Sequence, residues 1–161
     1  MQTLIKLKIS EIVYDVQNKT YLTGRSVSDG SNHAHVAYIQ ANDDDENAAQ
    51  ILRSITMAFS ILRNKLGEYV EDSLNTSGNS ILDGKEDLEF SLNLPSNYNV
   101  GVTATLGQAA HQFIVATAVA DWFAITAKGE TADYSVEAAN ALKVLEEALF
   151  KRSRPKRVTA S

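Results

Sequence analysis

The chain contains no cysteine. That excludes a disulfide framework, a thiolate zinc site and a cysteine nucleophile. Two prolines and eight glycines in 161 residues are too few for a collagen-like or Pro/Gly-rich disordered chain. No apolar run approaches the ~20 residues that a membrane helix requires. The opening Met1-Gln-Thr-Leu-Ile-Lys-Leu-Lys lacks the apolar stretch of a signal peptide. The expectation is a soluble protein of a cytoplasm-like compartment, with no membrane contact. What is present is ordinary: 44% apolar and 22% charged residues, enough for one domain with a normal core.

The net charge of −5 conceals an asymmetry. Lys151-Arg-Ser-Arg-Pro-Lys-Arg157 holds five of the fifteen cations, and no acid follows it. Ten cations then face twenty acids in residues 1–150, a body of −10 carrying a tail of +5. Such a chain offers opposite-charge surfaces to neighbours, including copies of itself.

Hydrophobic periodicity sets the order of elements. Residues 3–9 alternate, with Thr3, Ile5, Leu7 and Ile9 on one side, which predicts a short strand. A helix opens at Ser10-Glu11 with Ile12, Val13, Val16 and Tyr21 on its apolar face. Residues 23–35 are rich in turn formers and read as an exposed loop. Asn42-Asp43-Asp44-Asp45-Glu46 supplies a cap and carboxylates for the positive end of a helix dipole. Ile51, Ile55, Phe59, Leu62, Leu66 and Tyr69 then form an amphipathic stripe over residues 44–72. After the break at 75–80, Asp83-Gly84 is a hairpin turn pair, and Leu88, Phe90, Leu92 and Leu94 alternate with polar residues.

Residues 103–128 read as a long helix rich in alanine and apolar nearly all round, hence buried on several sides and ended by Gly129. A last helix, capped by Thr131 or Asp133, points Val136, Ala139, Leu142, Leu145 and Leu149 inward, and Pro155 closes it. The fold class expected is mainly α: a helical bundle with two long helices, a C-terminal helix and a small β-hairpin appendage. It forms a single domain over 1–161, with a strand, helix and loop in 1–41, a helical core over 42–150 bearing the hairpin at 81–94, and a basic tail at 151–161.

Chemistry-bearing patterns are few. His33-Ala-His35 would make a metal half-site if extended, but a third ligand at conventional spacing is missing. His111, inside the apolar helix beside Gln108 and Gln112, is expected as a hydrogen-bonded core or interface histidine. The acids at 43–46 lack the residue pattern of a calcium loop. Gly101 and Gly107 lack the companions of a phosphate-binding loop. Asp121 is the one acid in the apolar helix and is expected to face a Lys or Arg. No catalytic set can be nominated, so neither enzyme activity, metal nor cofactor is predicted. Two features point to partners instead. A lone hairpin is marginal in water, so Leu88, Phe90 and Leu92 must lie on helices or pair with a strand, either 4–9 or one from another chain. Lys151, Arg152, Arg154, Lys156 and Arg157 can contact protein or nucleic-acid backbone; the tail has no aromatic on which bases could stack.

The acid-capped helix Asn42-Asp-Asp-Asp-Glu-Asn-Ala-Ala-Gln-Ile-Leu-Arg-Ser-Ile, the alanine-rich helix ending Ala120-Asp121-Trp122-Phe123, and the final helix running into Arg152-Ser-Arg154-Pro155-Lys-Arg157 carry a resemblance. Over roughly residues 42–72 and 104–157 the layout resembles the small head–tail connector (adaptor) proteins of tailed bacteriophages and prophages. The resemblance implies a ring, commonly a dodecamer, under the portal at the capsid vertex. Its partners would be copies of itself, the portal protein, and tail or neck proteins, with packaged DNA passing through. It would be made in a bacterial host cytoplasm and reside in the virion neck. Two alternatives stand beside it. A tail-completion or terminator protein would be richer in β-structure. A nucleic-acid-binding protein using the basic tail would need an exposed recognition helix, and the helix at 104–128 is too apolar for that.

Overall fold

A computed structural model of the chain describes residues 1–42, 44–70 and 86–155. The elements are β1 (Gln2–Lys8), α1 (Ile9–Ser26), α2 (His33–Ile39), α3 (Asp45–Lys65), β2 (Asp87–Asn93), α4 (Thr103–Thr126) and α5 (Thr131–Leu149). Single 3₁₀ turns, Val100–Val102 and Lys128–Glu130, lead into α4 and α5. The fold is mainly helical with a two-stranded antiparallel appendage, as the periodicity predicted.

α4 is the centre. Ala110, Ile114, Val115, Ala116, Val119 and Phe123 are fully buried, and α1, α3 and α5 all pack on it. A helix apolar on most of its circumference needs neighbours on several sides, and its alanines let those neighbours approach closely. α5 returns antiparallel to α4 after the 3₁₀ turn and contributes Ala138, Ala141, Leu145, Ala148 and Leu149. The inward stripe of α5 is therefore rotated from the expected one: Leu142 is half-buried, whereas Val136 is 61% exposed and Ala139 is exposed. The small residues Ala138 and Ala141 face alanine-rich α4, because helices close most tightly where both surfaces are small. α3 lies antiparallel to α4, with Asn47 and Gln50 beside Trp122 and Ile125, and buries Ile51, Ile55, Ala58 and Leu62.

The strand at 87–93 pairs with β1 in the register Thr3↔Leu92, Ile5↔Phe90 and Leu7↔Leu88. Both apolar faces thus fall on one side of the sheet, and Phe90 meets the Phe59 ring on α3 at 5.8 Å between centroids. On the open side Lys6 and Glu89 are cross-strand partners joined by a 2.9 Å ion pair. The hairpin's expected first arm and its Asp83-Gly84 turn lie outside the described residues.

Three local expectations are corrected. Residues 23–35 are not one loop: α1 runs on to Ser26, and α2 begins at His33. Gly24 permits this, because a Cβ there would meet the Gln40 side chain at 3.0 Å and the Val36 carbonyl oxygen at 3.3 Å, so the missing side chain lets α2 lie against α1. Fully buried Thr20 seals the same corner, its Oγ1 donating to the Gln17 carbonyl and accepting from the Ala41 amide at 3.0 Å. Helix capping also differs. Asp44 is the N-cap of α3 and makes no side-chain cap bond; Asn42 Oδ1 accepts instead from the Asp44 amide (3.0 Å) and the Asn47 side chain (2.7 Å). Asp43 lies outside the described residues. α4 stops at Thr126 with Ala127 as its C-cap, before Gly129, and Glu130 rather than Thr131 or Asp133 is the N-cap of α5.

Candidate assembly surfaces

The basic segment leaves α5 where the last carbonyls of the helix carry partial negative charge. Arg152 uses that field: its Nη1 donates to the Leu149 carbonyl at 2.8 Å and the Lys151 carbonyl at 3.2 Å. The backbone then runs antiparallel to residues 97–99. The Asn99 amide donates to the Lys151 carbonyl (3.1 Å), and the Ser153 amide and hydroxyl both donate to the Asn97 carbonyl (2.8 and 3.2 Å). Lys151, Arg152 and Arg154 are exposed on this pinned strap. Lys156 and Arg157 lie outside the described residues. A strap held by backbone bonds presents its cations with less conformational freedom than a loose end would.

Leu88, Phe90 and Leu92 have a different place from a partner-facing one. They are 2%, 4% and 1% exposed, turned into this chain's own core, with β1 hydrogen-bonded alongside. A second chain cannot reach their side chains, because intramolecular burial already covers that face.

α4 fixes the relation between the two ends of the bundle. The basic strap lies beside the 3₁₀ turn that precedes α4, and Phe150 at its start packs edge-on against Tyr69, just past the end of α3. The acidic start of α3 (Asp44, Asp45, Glu46, all exposed) lies at the C-terminal end of α4, where Trp122 Nε1 donates to the Ile39 carbonyl at 2.6 Å. Charges of opposite sign therefore sit at opposite ends of a helix of 24 residues, about 36 Å at 1.5 Å per residue.

A polar groove of about 820 Å³ lies between β1, the start of α1 and the first half of α4, lined by Lys8, Ser10, Glu11, Tyr14, Gln108 and His111 among others. At its edge His111 Nε2 donates to Asp15 Oδ2 at 2.6 Å, tying α4 to α1. Next along, Glu137 of α5 accepts from Gln112 of α4 and, at 3.0 Å, from Lys19 of α1. Thr23 and Tyr134 share a 2.8 Å hydrogen bond in the same seam. His111 is thus the hydrogen-bonded histidine expected, and its partner is an acid 96 positions away. No local sequence pattern announces such a pair; the one available signal was Asp15 at the border of an apolar helical face.

The remaining candidates separate. His33 and His35 are two residues apart on a helix, which directs them to different sides, and both are exposed. Among the described residues no group of three or more His, Asp or Glu side chains could hold a metal ion. Asp121 meets no Lys or Arg among the described residues; its Oδ2 accepts from the Ser54 hydroxyl of α3. No helix among the described residues is long and apolar enough to cross a membrane. Comparison with protein-family models, with curated proteins and with solved structures found no match for the chain.

Proposed function

We propose that the protein is a structural, non-enzymatic component of a tailed-phage virion, assembling into a ring at the neck that joins capsid to tail around the DNA channel. The observation that carries this reading is the pinned basic strap: cations carried on a hydrogen-bonded backbone at one end of the bundle, opposite an acidic end of the same chain. Support also comes from the mainly helical layout of the described residues, which the reading requires. Cations on a pinned backbone suit a protein–protein or DNA-backbone contact made in fixed register.

The test is sedimentation velocity and electron microscopy of the full chain, alone and mixed with a purified phage portal ring. Closed rings, or rings formed only on the portal, are the expected result. A monomer at every concentration, with and without the portal, overturns the proposal.

A further inference from the structure

Both ends of the bundle expose large apolar side chains. At the C-terminal end of α4, Tyr38 is 59% and Ile125 53% exposed, and they share an open cavity of about 380 Å³ floored by buried Trp122. Asn47 and Gln50 line the same cavity, and Asp44, the N-cap of α3 three residues before Asn47, and Glu46, four residues before Gln50, are exposed on that side of the helix. At the other end Phe150 is 59% and Val100 65% exposed, and the strap bearing the exposed Lys151, Arg152 and Arg154 follows Phe150 and bonds to Asn99 beside Val100. Glu130 offsets Lys128 at the first end, and at the second Glu68, Glu146 and Glu147 are outnumbered by Lys65 with the three strap cations, so the two ends keep opposite signs.

We infer that the acidic, Tyr38–Ile125 end of one copy docks on the basic, Phe150–Val100 end of the next. An apolar centre with a charged rim is the make-up of a protein interface. The signs of the rims select the occupant. Two acidic ends or two basic ends set like charges together, which costs several kcal/mol in an interface, whereas an acidic and a basic end attract. A second copy of this chain supplies the required basic and apolar surface by construction. Such a contact is heterologous, so each copy uses both ends, and the finite product is a ring whenever the rotation between copies closes. The contact rests on the two ends themselves; only its closure into a neck ring rests on the function proposed above.

The experiment uses two full-length variants in light scattering and sedimentation. D44K/E46K makes both ends basic, and K151E/R154E makes both acidic; Arg152 is left in place because it caps α5. Each variant alone is expected to stay unassembled at concentrations at least tenfold above those at which the wild type assembles. The equimolar mixture is expected to recover assembly, with copies alternating. Ile125→Ser and Val100→Ser, exposed positions at opposite ends, should each raise the assembly concentration as well, and they serve as the readout if a charge reversal lowers the melting temperature. Assembly of either charge variant alone at the wild-type concentration, or a mixture of folded variants that stays apart, overturns the inference. Wild-type rings that survive all four changes reject this contact and leave the neck-ring function standing. Wild-type filaments that obey the charge rules but never seat on a portal do the reverse.

Discussion

Phe123→Ala tests the centre of the fold most directly. Phe123 is 0% exposed and lies against Tyr134 of α5, ring centroids 5.4 Å apart and tilted by 50°. Tyr134 in turn shares its hydroxyl with Thr23 of α1, so the cavity left by the deletion sits where three helices meet and has little freedom to collapse. The expected loss is therefore in the upper range for such changes, about 3–5 kcal/mol, including about 0.5–1.5 kcal/mol from the aromatic pair. Phe59→Ala is the internal comparison. Phe59 is only half-buried, between Phe90 and the Arg63 guanidinium, and its space opens to solvent, so roughly half the loss is expected, about 1.5–2.5 kcal/mol. For a domain of this size, about 2–4 °C per kcal/mol, the larger change lowers Tm by roughly 6–20 °C. Trp122, the only tryptophan, is buried in the same turn, so its fluorescence reports urea unfolding alongside far-UV circular dichroism. Unchanged m-values would confirm that stability alone has moved. A Phe123→Ala loss below about 1.5 kcal/mol, or a Phe59→Ala loss equal to it, would refute the assignment of helix faces.

Trp122→Phe removes the donor to the Ile39 carbonyl and should cost about 1–3 kcal/mol, read by circular dichroism because the fluorophore is gone; no loss would mean that water replaces the indole. A double-mutant cycle on Asp15 and His111, whose side chains are 41% and 18% exposed, should give a coupling of only about 0.5–1 kcal/mol, measured by urea titration; zero coupling would leave the seam to packing alone. Ending the chain at Phe150 removes the strap's bonds to Asn97 and Asn99 and should cost about 1–2 kcal/mol while leaving the helical spectrum intact; collapse of that spectrum would show the strap to be essential to the fold. Two exposed groups each add a small pH-dependent contribution. The hydrogen bond to Glu89, and then that residue's charge, hold the Lys6 ammonium above the ordinary lysine range, so the pair's contribution is complete below that range and is lost as pH rises through the elevated value. The Ser31 amide and hydroxyl hold Asp29 below the ordinary carboxylate range, so its contribution is present above that range and is lost as pH falls through the depressed value. Melting curves across pH should show Glu89→Gln weakening only the alkaline loss and Ser31→Ala only the acid loss, and a change at the opposite limit would contradict the pairing.

Elements whose periodicity alone fixes their type were legible in the residues. α3 declares itself by apolar spacing over many turns, α4 by the length of its alanine-rich apolar run, and β2 by strict alternation from Leu88 to Leu94. α2 was not legible. Seven residues flanked by Gly30, Ser31 and Asn32 give two turns and no stripe, and that helix exists because Gly24 on α1 makes room for it. The rotation of α5 was hidden for a related reason: Val136 is more apolar than Ala138, but the flat surface of α4 selects the smaller residue. Of the candidate site, the sign and place in sequence of the basic segment could be read. Its docking against 97–99 could not, since backbone bonds leave no mark on side-chain pattern. Leu88, Phe90 and Leu92 read equally well as partner-facing or core, and only the pairing of β1 with a strand some eighty positions later decides for the core.

The dependence of α1, α3 and α5 on α4 has a consequence for the order in which the molecule is made. The apolar faces of α1 and α3 leave the ribosome before the helix that covers them exists. From Lys65 to Thr126 the chain needs roughly 3–12 s of elongation at ~5–20 residues per second. During that interval Ile12, Val16, Ile51, Ile55 and Leu62 have only one another for cover, and β1 waits still unpaired until residues 87–93 are made. The nascent N-terminal half is therefore the stage most exposed to mispairing, and its arrival at the native state is gated by translation of the alanine-rich segment, not by its own propensity to fold.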